Sequence, residues 1–285
     1  MHSGIAQFVS TEIYPLSDPS ASGWRTCLAR VQGELAAAGC SVLPGFIRPG
    51  RLEDLALQSR SIASLAWSQV ETVNVYNVAL DRDLPNGHPA HIRMERGNAF
   101  VARDQIPRHF LIHQLFTSGA FQRFIAACFG MERIFELADP LSGLCLNVLG
   151  EGREHPWHFD TNEFSVSLLT QVSESGGVFE YCPNIRSPED ENLAGVREVL
   201  EGRANHSIRR LALRPGDLQL FLGRFALHRV SAIEGAMERH CAIFAYSKEP
   251  GVIGSLERTR QLFGRVLPAH VEAAKRAVRS DRLLD

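Results

Sequence analysis

Three residues, His158, Asp160 and His228, have the types and spacing to hold a metal ion. His158-Phe159-Asp160 is an H-x-D triplet. If it lies on a strand, alternation puts His158 and Asp160 on one face with Phe159 behind them. A second imidazole, His228 in Gly223-Arg224-Phe225-Ala226-Leu227-His228-Arg229-Val230, completes two nitrogens and one carboxylate. Such a set holds Fe(II) on one side and leaves coordination positions for a cosubstrate and O₂. An H-x-D triplet arises often by chance, so its weight comes from its surroundings.

Arg239 supplies the first of these. It follows His228 by eleven residues and opens the apolar run Cys241-Ala242-Ile243-Phe244-Ala245-Tyr246. A guanidinium at the head of a buried strand can clamp a dicarboxylate through two parallel hydrogen bonds, although a strand-end Arg in an ordinary salt bridge reads the same way. Taken together, the four residues suit Fe(II), 2-oxoglutarate and O₂. Asn147, on the run before the triplet, is a candidate partner for 2-oxoglutarate or a strand amide satisfying backbone.

The elements that must position these residues change character along the chain. Trp24 to Ala38 carries Cys27, Leu28, Val31 and Leu35 at helical spacing and stops at Gly39; Arg51 to Trp67 reads helical again. A short strand is expected over Cys40 to Phe46, and another over Val70 to Leu80. Asp81 to Ala90 is a turn-rich loop with His88, close to His91, Arg93 and Arg96. Two further helices fit Ile106 to Leu115 and Ser118 to Phe129.

After Gly130 short β-prone runs follow one another: Ile134 to Leu137, Leu144 to Leu149, Trp157 to Asp160, Phe164 to Thr170 and Val178 to Tyr181. An acidic helical insert over Pro188 to Gly202 interrupts them. They resume at Ile208 to Leu213, Leu218 to Phe221, Ala226 to Val230 and Cys241 to Tyr246. The fold expected is α+β with a mainly β core: a double-stranded β-helix, or jelly roll of the cupin kind. Residues 1–130 form a helical region packed on that core, 131–250 the catalytic core and 251–285 a C-terminal helical segment, one structural domain in all.

Composition sets limits on function. The chain has 285 residues, 45% hydrophobic and 22% charged, with a formal net charge of −2, so no electrostatic case exists for nucleic acid or a membrane surface. No run approaches the roughly 18 apolar residues of a membrane span. Six scattered cysteines without a C-x-x-C, and a start lacking the marks of a signal peptide, fit a cytoplasmic protein.

A wider set of residues carries a family resemblance. Pro156-Trp157-His158-Phe159-Asp160-Thr161-Asn162-Glu163-Phe164, the run from Glu180-Tyr181-Cys182-Pro183 to Asn192, Arg214-Pro215-Gly216-Asp217-Leu218-Gln219-Leu220-Phe221 and Glu249-Pro250-Gly251 stand in this order. Together they resemble the Fe(II)/2-oxoglutarate enzymes that halogenate or hydroxylate free amino acids, lysine among them. The resemblance covers roughly residues 135 to 268 strongly and the N-terminal part more loosely. It implies Fe(II) on His158, Asp160 and His228, 2-oxoglutarate as cosubstrate with Arg239 on its distal carboxylate, and O₂ as oxidant. Halogenases of that family have Gly in place of the metal carboxylate, leaving room for halide. Asp160 stands there in this chain, which implies hydroxylation.

The substrate implied is a free amino acid or a similar small zwitterion. It needs a cation for its carboxylate, from Arg93 or Arg96, and an acid for its ammonium, from Asp139. A homodimer is left open. Two other readings also remain: a cupin-type isomerase or dioxygenase without 2-oxoglutarate, which Arg239 argues against, and a non-catalytic β-sandwich binding protein.

Overall fold

The computed structural model describes residues 4–79 and 83–275. The chain begins with helix α1 (Ser22–Ala38), whose Trp24, Cys27, Val31, Leu35 and Ala38 face inward at helical spacing. Gly39, at φ 66°, takes the left-handed conformation that closes the helix and turns the chain into strand β1 (Cys40–Leu43). Next come α2 (Leu52–Ala63), β2 (Trp67–Ser68), the pair β3 (Glu71–Val73) and β4 (Met94–Arg96), and β5 (Ala99–Val101). Short helix α3 (Leu111–Phe116) precedes α4 (Gly119–Cys128), whose Ser118 side chain caps its first turn by accepting from Phe121 N–H.

The β-rich part runs through β6 (Phe135–Glu136), β7 (Leu144–Leu149), β8 (His155–His158), β9 (Ser165–Gln171), β10 (Ser175–Gly176) and β11 (Phe179–Cys182). Helix α5 (Leu193–Leu200) follows, then β12 (Arg209–Leu211), β13 (Leu218–Phe221), β14 (Leu227–Val230), β15 (Ile233–Glu234), β16 (Arg239–Phe244) and β17 (Tyr246–Ser247). Helices α6 (Leu256–Phe263) and α7 (Pro268–Ala274) finish the described chain; residues 276–285 of the expected C-terminal segment lie outside the described residues.

Two antiparallel sheets face each other as a jelly roll. The larger has the order β1-β13-β9-β16-β7-β5-β2 and the smaller β12-β11-β14-β8. Alternation assigns each residue of the large sheet a side. Leu144, Leu146, Val166, Leu168, Leu218, Leu220, Ala242 and Phe244 point outward into one apolar core with α1 to α4. On the other side Leu149 and Phe221 meet Phe179, Tyr181 and Val230 of the small sheet. Removal of such side chains from water stabilises by about 1.5–3 kcal/mol each, which clamps the sheets at a fixed separation. Behind the small sheet, α5 packs its Val196 and Val199 with Trp157, Phe159, Cys182 and Leu227.

Two expectations change here. The first 130 residues are more than a helical layer on the core, because β1, β2 and β5 are strands of the large sheet itself. The strand expected over Cys40 to Phe46 is β1, whereas the shortness of β2 and β5 hides them among the helices. The strand expected over Trp157 to Asp160 starts earlier and ends at His158, so Asp160 is held at the entry to a bend over 161–163 rather than by strand alternation. All six cysteines are free and buried, and burial pushes the Cys40 and Cys145 thiols up to about 12. Among the described residues no helix is long and apolar enough to cross a membrane.

Candidate metal centre

The two imidazoles share one rung of the small sheet. His228 of β14 is the direct antiparallel partner of His158 of β8, and their ring centroids are 4.0 Å apart. Each ring is oriented by its own strand: His158 Nδ1 lies 2.8 Å from Pro156 O and His228 Nδ1 2.9 Å from Ala226 O. A backbone carbonyl only accepts, so Nδ1 carries the proton and Nε2 presents its lone pair to the cavity.

Asp160 reaches the same point from the bend. Its Oδ1 is 3.7 Å from His158 Nε2 and 3.4 Å from His228 Nε2, and one ligand atom from each residue lies within 4.8 Å of the others. The bend is fixed twice. Asp160 N–H donates to Gly223 O at 3.1 Å, and Ser165 Oγ donates to Asp160 Oδ2 at 2.5 Å. A Cβ on Gly223 would fall 2.0 Å from Oδ2, so only glycine lets the carboxylate lie where it does.

Burial, and then the neighbouring His228, lowers the His158 pKa to about 4, keeping its imidazole neutral at neutral pH. Burial pushes Asp160 upward, but His228 and His158 outweigh it and hold the carboxyl well below its ordinary range. Two imidazole nitrogens and one carboxylate converging on one point are a donor set that fits a divalent iron.

Arg239 opens β16 opposite Leu149 of β7, so its side chain enters the space between the sheets. It is 4% exposed, and its side chain has no hydrogen bond or ion pair among the described residues. It lines a cavity of about 140 Å³ with Leu169, Val178 and Phe179. Asn147, two residues from Leu149, faces the same way, and its Nδ2 donates to Ala99 O at 3.2 Å.

The residues expected to hold a substrate lie in different places. Arg96 is buried, packed beside β8 through β4, and paired with Glu71 across the β3–β4 rung. Arg93 is exposed. Asp139 is fully buried, but its oxygens accept from the N–H groups of Leu141, Ser142 and Gly254 and contact His270 Nε2 at 3.2 Å. Its acceptors are engaged in tying loops and α7 together, which leaves little for a substrate ammonium. His88 is spent on the Ala90 N–H, and His91 is exposed.

Two further residues were given no role in the sequence reading. His155 stacks on His158 with ring centroids 3.8 Å apart and planes 14° from parallel. Alternation alone would turn it away. A bulge pairs Val230 with His155 after His228 with His158, and the extra residue on β8 returns His155 to the inner face. Arg258, near the start of α6, donates to Asn77 Oδ1 at 3.3 Å. A C-terminal helical segment was expected from the sequence, but nothing in it tied that helix to the triplet.

Comparison with known proteins bears on the family and the fold. Residues 79–261, well over half the chain, match the family described as Halogenase D. No curated protein matches. Among solved structures, AviO1 from Streptomyces viridochromogenes Tue57 is similar with a TM-score of 0.53 at 15% identity, over 79% of this chain and 96% of that one. A prolyl hydroxylase from Trichoplax adhaerens, solved with a hypoxia inducible factor peptide, gives 0.51 at 15% identity over 81% and 95%. SnoN, a non-heme alpha ketoglutarate dependent epimerase from nogalamycin biosynthesis, gives 0.52 at 12% identity over 78% and 83%. At these identities the likeness concerns the fold.

Proposed function

The chain belongs to the Halogenase D family, and on that premise we propose that it is an Fe(II)/2-oxoglutarate-dependent oxygenase hydroxylating an unactivated C–H bond of a free amino acid. His158, Asp160 and His228 would hold the iron, and Arg239 would hold the distal carboxylate of 2-oxoglutarate. With O₂, that centre supplies the oxidising power to insert one oxygen atom into a C–H bond while 2-oxoglutarate leaves as succinate and CO₂. SnoN is a relative in fold whose structure contains Fe³⁺ and alpha ketoglutarate, which supports the cosubstrate.

The protein's own part is placement. Pro156 O and Ala226 O fix the imidazole tautomers, Ser165 and Gly223 fix the carboxylate, and Phe179 and Leu169 line the space beside Arg239. Arg239 brings a buried positive charge without a protein counter-ion among the described residues, and a dianionic cosubstrate meets that need. The observation that carries hydroxylation over halogenation is Asp160. A carboxylate there occupies the coordination position that a halide requires.

The test is anaerobic reconstitution with Fe(II) and 2-oxoglutarate, then exposure to O₂ with chloride and a panel of free amino acids, read by mass spectrometry. A product heavier by one oxygen atom with stoichiometric succinate is expected. Arg239→Met should raise the KM for 2-oxoglutarate at least about tenfold, the worth of a charge-assisted hydrogen-bond pair. A chlorinated product would overturn hydroxylation. No succinate from iron-loaded protein would overturn the oxygenase.

A further inference from the structure

Arg239 is buried, yet the cavity it lines has an outer wall of exposed residues. Leu169 and Phe179 form the inner end, and Val172, Glu174, Ser175 and Ala212, all exposed, form the outer one. Between them Gly176 and Gly177 pass without side chains, at φ 67° and 62°. A Cβ on Gly177 would fall 2.9 Å from Arg239 Cδ, so the bare backbone is what leaves the guanidinium room beside the outer wall.

The inner end points at the metal centre. Phe179 pairs with Val230, two residues or about 7 Å along β14 from His228, and the rings of Phe179 and His228 have centroids 5.6 Å apart. A five-carbon diacid held beside His228 would extend past Phe179 to Arg239, with its far end at the outer wall.

Beyond that wall lies a groove of about 930 Å³, and Val172, Leu211, Ala212 and Leu213 line both spaces. The wall is lightly held. β12 is a three-residue edge strand, paired among the described residues with β11 alone, and residues 212–213 after it belong to no strand. Displacing such an edge breaks a few backbone hydrogen bonds and leaves the core intact. The charges of the groove are largely spent: Arg60 pairs with Glu53 at 3.0 Å, and Asp217 accepts from the N–H groups of Gly45 and Arg214. The exposed Arg214 guanidinium has no partner among the described residues. Against Glu174 on the other rim, a dianion meets Arg214 outside the wall and Arg239 inside it.

We propose that this wall is a doorway for the cosubstrate alone, through which 2-oxoglutarate enters and succinate leaves. β12 and β8 are opposite edges of the small sheet, so the β8 side of the iron ligands is left to the amino acid. Cosubstrate and coproduct then exchange without the amino acid having to leave. This inference rests on the oxygenase reading above for the identity of the diacid.

Stopped-flow mixing of anaerobic, Fe(II)-loaded protein with 2-oxoglutarate, read by the visible absorption of the Fe(II) chelate, tests it. The slope and intercept of the observed rate against concentration give binding and release. Narrowing a passage raises the barrier between two end states and leaves the states themselves alone. Ala212→Trp should therefore slow binding and release about tenfold or more, by the same factor, with Kd unchanged. Leu213→Ala, which widens the same wall, should speed both. Thr72→Trp crowds the cavity of about 330 Å³ beside β3 and β4, on the β8 side, and should alter neither.

Misfolding or a lost contact would shift Kd instead of moving both rates together. Rates indifferent to both wall variants, a change in Kd alone, or slowing by Thr72→Trp would overturn the doorway. Rates that follow Ala212 and Leu213 in a protein that makes no succinate with O₂ would defeat the oxygenase reading alone. Succinate formation with rates indifferent to the wall would defeat this inference alone. Wild type that binds no 2-oxoglutarate would defeat both.

Discussion

At Gly223 a missing side chain sets the position of a candidate metal ligand. The Asp160 carboxylate lies where the Cβ of any other residue would be, and Ser165 draws its second oxygen away so that Oδ1 faces the imidazoles. Gly223→Ala should therefore rotate Asp160 without disturbing the sheets. The expected result is an Fe(II) affinity about 10–100-fold weaker, measured by competition with a chelator, with the melting temperature of the metal-free protein almost unchanged. Equal iron affinity in the alanine variant would show that Gly223 has no part in the centre.

Legibility at this scale followed chemistry. His158, Asp160, His228 and Arg239 stood out because their types are rare together and their spacing matches strands. His155 did not, because the bulge that turns it inward leaves no trace in an alternation pattern. Asp139 drew attention as a free acid, whereas folding surrounds it with N–H donors that the sequence does not reveal.

The elements are tied to one another by polar staples at their ends. Asp139 joins the loop before β7, the Gly254 N–H ahead of α6, and His270 of α7. Burial pushes its carboxyl upward, but the N–H groups of Ser142, Leu141 and Gly254 and then His270 prevail, and it stays below the ordinary carboxylate range. A depressed folded value means this stabilisation is complete above the unfolded carboxylate pKa and is lost as pH falls through the folded one. Urea midpoints measured from about pH 6 down to about pH 3 should fall more steeply for wild type than for Asp139→Asn. At neutral pH, Asp139→Ala should cost about 3 kcal/mol or more, since it strands buried donors. A variant that unfolds like wild type at both ends of the range would remove the staple from the account.

Element types were readable where periodicity was long, as in α1 and β7. Short strands such as β2 and β5 were not, because two or three residues carry no period and are specified by the neighbours they pair with.

For the molecule as a whole, iron and 2-oxoglutarate held as proposed would bind residues from both sheets and should act as a fastener between them. At about a hundredfold excess over Kd, a ligand that binds only the folded state adds about 2.7 kcal/mol, which for a chain of this size is a rise of roughly 5–10 °C in Tm. Differential scanning calorimetry with Fe(II) and 2-oxoglutarate, together and singly, measures it. A Tm indifferent to both would mean the two do not bind across the sheets.

The pairing of His158 with His228 also sets a timetable for synthesis. A ribosome makes β8 well before β14, and β1 waits still longer for β13. A growing chain that has exposed His158 and Asp160 thus holds an incomplete ligand set with no sheet around it. On the proposed reading, iron would have a finished home only after translation has passed Arg239, when the strands that shield it from water are already in place.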